Sequence, residues 1–134
     1  MKLFAKARLA AATVLGMGIA MSAQAKTELT VYTALEADQL KQYEAAFEKA
    51  NPEIDIRWVR DSTGIVTARL LAEKANPQAD VVWGLAATSL LVLKGQDMLQ
   101  AYKPQGVEQL SKKFVDNDAT PSWVGMDAWV ASIC

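Results

Sequence analysis

The amino-acid sequence predicts an α/β fold, with a parallel-rich sheet flanked by helices. Three observations carry that reading. The segment EKANPEIDI at Glu48–Ile56 returns as EKANPQADV at Glu73–Val81, and each copy is a charged helix end, an Asn-Pro stop and the start of an apolar strand. Pro disfavours helical geometry in the residue before it, so Asn-Pro is a physical stop signal. Short β-rich runs alternate with segments of helical periodicity, and strands that alternate with helices pair in parallel through right-handed crossovers.

The elements follow in order. LTVYT predicts a strand over Leu29–Thr33. A helix is expected near Glu36–Ala50, where Leu40, Tyr43, Phe47 and Ala50 recur at three- and four-residue spacing and are read as core. IDIRWVR predicts a strand over Ile54–Arg60, and a helix over Gly64–Lys74 follows, with Val66, Leu70 and Leu71 inward. A strand over Asp80–Gly84 leads to a helix over Ala87–Leu93 that ends near Gly95. Residues 96–121 read as mixed helix and loop, broken at KPQG and DNDATP, and VGMDAWVASI resumes a strand pattern.

The two ends bear on compartment. Lys2, Lys6 and Arg8 precede an apolar run from Leu9 to Met21, and Ala23-Gln24-Ala25 has the small-x-small form of a signal-peptidase site. The run is shorter than the roughly 20 residues that span a bilayer. Residues 1–25 are therefore expected to be a cleaved signal peptide, and residues 26–134 an exported chain that begins at Lys26. The sequence stops at WVASIC inside an apolar run, so an N-terminal piece of a longer protein is expected. Cys134 is the only cysteine, with no histidine in the chain to activate it, and reads as a small apolar residue.

Charge excludes several classes. Three of the 14 basic residues lie before Lys26 and no acidic one does, which leaves 11 against 15, a net charge of −4. A nucleic-acid binder would show a basic face. The absence of histidine removes imidazole metal sites and triads with a histidine base. No G-x-S-x-G elbow occurs, so a secreted α/β hydrolase is disfavoured.

A parallel sheet places its ligand site beyond the carboxyl ends of its strands. Three such ends are Tyr32-Thr-Ala-Leu-Glu36, Asp61-Ser-Thr-Gly64 and Trp83-Gly-Leu-Ala-Ala-Thr-Ser89, each of them leading into a helix start. Ser62, Thr63 and Gly64 read in two ways. Ser and Thr cap helices by accepting free N–H groups, and the same N–H groups attract phosphate-like anions.

In combination, VYTALEADQL, RDSTGI, VVWGLAATS and VGMDAWVA resemble the periplasmic solute-binding proteins of ABC importers, most of all the 2-aminoethylphosphonate-binding group near the ferric-iron binders. The resemblance implies a two-lobed, hinged, monomeric protein that closes on a small ligand and delivers it to an inner-membrane permease. This chain would supply the first lobe, with the second missing. With the charge and the missing histidine, the expectation is no cofactor, no metal, no nucleic-acid partner and no enzymatic activity.

Residue roles follow from that resemblance. Ser62, Thr63 and the N–H of Gly64 would take phosphonate oxygens, with Thr33 and Ala34 lining the cleft. Glu36 would meet the ligand's ammonium, or serve as a first-turn acid favoured by the helix dipole. Gly84 and Ala86 would allow close backbone approach, or make a tight turn. Trp83 would cover the ammonium by a cation–π contact or pack in the core, and Asp127 would be a second ammonium partner or a solvated acid. A ferric-ion binder is the runner-up. Its relatives place metal ligands after the first and third strands, positions that here look like Glu36 and Leu85, and leucine cannot coordinate iron. A nonfunctional fragment is a further possibility.

Overall fold

The computed structural model describes residues 25–128, so the expected signal peptide, its cleavage site apart from Ala25 itself, and Cys134 lie outside the described residues. Three strands and three helices alternate: β1 Thr27–Thr33, α1 Ala37–Ala50, β2 Ile54–Arg60, α2 Thr63–Ala72, β3 Val81–Trp83 and α3 Ala87–Gly95. Two short 3-10 turns follow, at Val107–Gln109 and Lys112–Phe114. The sheet has the order β2-β1-β3, and both pairings are parallel, with Thr27 opposite Ile54 and Val31 opposite Val81.

The central position of β1 follows from its sequence. Val31, Tyr32 and Thr33 are all buried, as a strand covered on both faces must be, whereas the flanking strands expose every second or third residue. Right-handed crossovers to opposite sides of β1 put α1 on one face and α2 with α3 on the other. Tyr32 belongs to the second face. Its neighbours in register, Val59 and Val82, pack with it against Val66 and Leu70 of α2 and Leu93 of α3. Its hydroxyl donates to Glu73 at 2.8 Å, and the Arg69 guanidinium lies 5.0 Å from its ring centre. On the α1 face, Trp58 donates its indole N–H to Glu44 at 2.7 Å. Trp58 stacks on Trp83 at 5.5 Å, and Tyr43 meets Trp83 edge-on at 4.7 Å.

The first Asn-Pro stop acts where the sequence places it. Asn51 caps α1, and both its backbone and side-chain N–H groups donate to the Phe47 carbonyl at 2.9 Å. The second helix stops two residues earlier than Lys74, with Glu73 as its C-cap. The Glu73 carboxylate accepts there from the Tyr32 hydroxyl of β1 and from Arg69 one turn earlier. Similarly, β1 starts at Thr27 rather than Leu29 because its N-terminal residues pair with β2 as far as Ile54.

Several expected core positions are open. Leu40, Val66 and Leu70 are buried, but Tyr43 is 43% exposed, Leu71 is 37% exposed, and Ala50 is exposed. Leu71 lies one residue off the Val66–Leu70 stripe, which turns it about 100° away from the core. Tyr43 meets Trp83 edge-on and keeps 43% of its surface in solvent. The expected strand after Pro121 is also corrected over residues 121–128. Only an isolated antiparallel bridge forms there, between Val115 and Val124, and residues 129–134 lie outside the described residues.

Candidate functional site

The carboxyl ends of β1, β2 and β3 lie side by side, and each turns directly into a helix. Glu36, Ser62 and Ala86 stand at the N-cap positions of α1, α2 and α3. A single sheet edge thus carries three helix N-termini, each with unpaired backbone N–H groups and the positive end of a dipole.

The α2 start carries a hydroxyl residue at its cap position. Ser62 has the extended backbone of a cap residue (φ −61°, ψ 152°), yet its side chain makes no capping hydrogen bond. Its own N–H is taken by the Asp61 carboxylate at 2.7 Å. Thr63 uses its carbonyl to accept from the Thr67 hydroxyl at 2.6 Å. A Cβ built on Gly64 would meet nothing within 4 Å, so the lobe itself does not require glycine there. Ser62 and Gly64 are exposed and Thr63 is half-buried.

The turn after β1 is internally satisfied. Thr33 is fully buried, its hydroxyl accepts the Leu35 N–H at 3.1 Å, and its carbonyl accepts the Asp61 N–H at 3.2 Å. Ala34 is half-buried beside it and packs against the core. The Glu36 N–H reaches the Gln39 side chain at 3.4 Å, the outer limit of a hydrogen bond. The Glu36 carboxylate is paired with Arg60, whose Nε–H also donates to the Leu35 carbonyl at 2.6 Å. Arg60 therefore ties the β1–α1 turn to the end of β2.

The turn after β3 is shaped by Gly84. Its φ of +68° is the left-handed region, and an ideal Cβ there would lie 2.3 Å from Leu35 Cγ. Leu35 is the side chain that approaches the glycine backbone most closely. Trp83 has Trp58 and Tyr43 against it, so its ring is engaged in packing on the α1 face. Leu85 is buried in the core beneath α3.

A cleft of about 1130 Å³ runs from this third turn along the outer side of β3. It brings together Trp83, Gly84, Ala86 and Asp127, with Leu35 also in its lining. Asp127 is exposed. Thr33, Ala34, Glu36, Ser62, Thr63 and Gly64 do not line this cleft but lie on the neighbouring part of the sheet edge, over β1 and β2. The predicted residues thus form two groups, one lining the cleft and one along the ends of β1 and β2. Across from β3, the buried Trp123 indole N–H has no hydrogen-bond partner among the described residues.

Sequence reasoning missed Arg60. It read as the last residue of a strand, and only its place immediately before Asp-Ser-Thr-Gly, at the carboxyl edge, could have singled it out. It also missed Lys94, whose ammonium bridges Asp116 at 2.6 Å and Asp118 at 2.8 Å and ties the segment after the 3-10 turns to α3. Lys94 holds the Asp116 carboxyl below its ordinary range against the opposing effect of burial, and the Ser122 N–H adds to the depression. Among the described residues no group of three His, Cys, Asp or Glu is placed to hold a metal ion, and no helix is long and apolar enough to cross a membrane.

No protein-family model and no curated protein sequence matches the chain. Solved structures do match. The periplasmic binding protein AfuA from Actinobacillus pleuropneumoniae, with exogenous fructose-6-phosphate bound, is 26% identical with a TM-score of 0.63 over 73% of this chain and 30% of its own. The periplasmic binding protein P5PA is 22% identical, with a TM-score of 0.60 over 66% of this chain and 28% of its own. Iron-bound HitA from Pseudomonas aeruginosa is 19% identical, with a TM-score of 0.62 over 68% of this chain and 29% of its own. The chain spans less than a third of the length of each of these proteins. Its described residues have the α/β fold of part of a periplasmic binding protein lobe, a parallel sheet flanked by helices.

Proposed function

We propose that this chain is the first-lobe part of a periplasmic substrate-binding component of an ABC importer, and that its ligand is 2-aminoethylphosphonate or a related phosphonate. Residues 1–25 would be its export signal, removed after Ala25, and an inner-membrane permease its partner. The observation that carries the ligand class is the start of α2. Ser62 sits at the cap position with its hydroxyl uncommitted, Gly64 leaves its backbone open, and the helix dipole favours negative charge there. The sugar phosphate in the AfuA structure, a ligand that also carries a tetrahedral phosphorus oxyanion, supports the same class.

Ser62 and Thr63 donate hydroxyl hydrogen bonds to the oxyanion in this reading, and Gly64 donates its amide. Glu36, which shares its carboxylate with Arg60, and Asp127 would meet an ammonium group, with Thr33, Ala34, Trp83, Gly84 and Ala86 shaping the ground between. The iron-bound HitA structure makes ferric ion the second reading. Against it stand the pairing of Glu36 with Arg60 and the burial of Leu85, since hard cations need several free oxygen ligands.

Calorimetric titration with 2-aminoethylphosphonate tests the reading. Charge-assisted hydrogen bonds contribute roughly 1.5–3 kcal/mol each, so Thr63→Ala is expected to weaken binding about ten- to a hundredfold. Unchanged phosphonate affinity together with tight ferric-ion binding would replace this reading with the metal one.

A further inference from the structure

The fixed charges at the α2 start do not by themselves favour an anion. Asp61 and Glu36 are both acidic, and Asp61 lies against the Ser62 N–H, at the point where the helix dipole acts. A dipole equivalent to roughly half a charge does not offset a full carboxylate. Arg60 is the only basic residue in the three stretches that join the strands to the helices and their immediate flanks, residues 33–37, 60–63 and 83–87. Its guanidinium spends Nε–H on the Leu35 carbonyl and one terminal N–H on Glu36, and its remaining N–H groups have no partner among the described residues. The Arg60 side chain keeps 38% of its surface in solvent.

From this geometry we propose that Arg60 is the anion-recognition residue of the sheet edge. Its free N–H groups take a tetrahedral phosphorus oxyanion that also touches the α2 start, and Glu36 is the internal carboxylate that competes for the same guanidinium. The chemistry suits the role. A guanidinium is planar, always charged and forked, and it binds phosphate-like groups through paired N–H donors. Its clip to the Leu35 carbonyl fixes the fork in advance, which lowers the cost of ordering it on binding. The proposal rests on the phosphonate reading above and adds the cation which that reading lacks. It also gives Glu36 two opposite effects, attraction for an ammonium and competition with an anion.

Those opposite effects supply the test. The full chain is titrated by calorimetry with ethylphosphonate, which has no ammonium, and with 2-aminoethylphosphonate, as wild type, Arg60→Lys, Arg60→Gln and Glu36→Gln. Circular dichroism melts confirm that each variant is folded. Arg60→Gln is expected to weaken both ligands about tenfold or more, and Arg60→Lys to recover only part of the loss, since a point charge lacks the fork. The deciding variant is Glu36→Gln, which frees the guanidinium and is expected to tighten ethylphosphonate several-fold. Loss of a repelling carboxylate would also tighten an anion, so Glu36→Gln is repeated in the Arg60→Gln background, where the tightening is expected to disappear. A tightening that persists there would remove Arg60 from the role. If Glu36→Gln leaves ethylphosphonate affinity unchanged or lower in a protein that binds it, Arg60 loses the role while the phosphonate reading survives. If the wild type binds neither phosphonate, both fall together.

Discussion

Leu35 occupies the space that a side chain on Gly84 would need, 2.3 Å from Cγ to the position of an ideal Cβ. The two residues belong to turns almost fifty positions apart, brought together because β1 and β3 are neighbours in the sheet. Both residues line the cleft beside β3, so this contact forms part of that cleft's wall.

Two glycines on this edge should respond differently to the same change. Gly84→Ala meets both a left-handed backbone and a clash with Leu35, and is expected to cost roughly 1–3 kcal/mol. Gly64→Ala meets open space within a helix and is expected to be neutral or to stabilise by up to about 1 kcal/mol. Urea midpoints of the two variants check the contrast. Equal destabilisation of both would show that the α2 start is packed more tightly than described.

Ser62→Ala separates capping from binding. A working Ser cap contributes about 1 kcal/mol, but this hydroxyl makes no capping hydrogen bond. The substitution is therefore expected to change stability by less than about 0.5 kcal/mol, the range for surface positions with no such partner. A thermal melt reads it directly. A loss near 1 kcal/mol would restore the capping role.

The Lys94–Asp116 pair predicts a stability profile with two limbs. The folded Asp116 carboxyl is held below its ordinary value of 3.8, mainly by Lys94. Its contribution is present above that value and is lost as pH falls through the lower folded one. Lys94 is raised above 10.5, chiefly by Asp116 and then Asp118, so its contribution is complete below 10.5 and disappears as pH climbs through the higher folded value. Asp116→Asn should flatten both limbs in melts run from pH 2 to pH 12. An unchanged acid limb would mean that other carboxylates control acid unfolding.

Much of the local architecture was readable from single segments. Strand and helix periods, and the Asn-Pro stops, act over a few residues, so Ile54–Arg60 falls where the sequence puts it and Asn51 ends α1 through its own N–H groups. The candidate site was legible as three turns with small or hydroxyl residues, because strands that alternate with helices must deliver such turns to one edge. Which turns touch was not legible. Arg60 and Glu36 are 24 residues apart, and their pairing exists only because β1 and β2 align Thr33 with Arg60. The Glu73 carboxylate takes the hydroxyl of Tyr32 from 41 residues away, and Gly84 is held to glycine by its positive φ and by Leu35 against it. Local patterns fix backbone periods and caps, whereas strand order is decided by which faces can be buried together. Charge pairing and steric closeness at this edge therefore arise only once the sheet has formed.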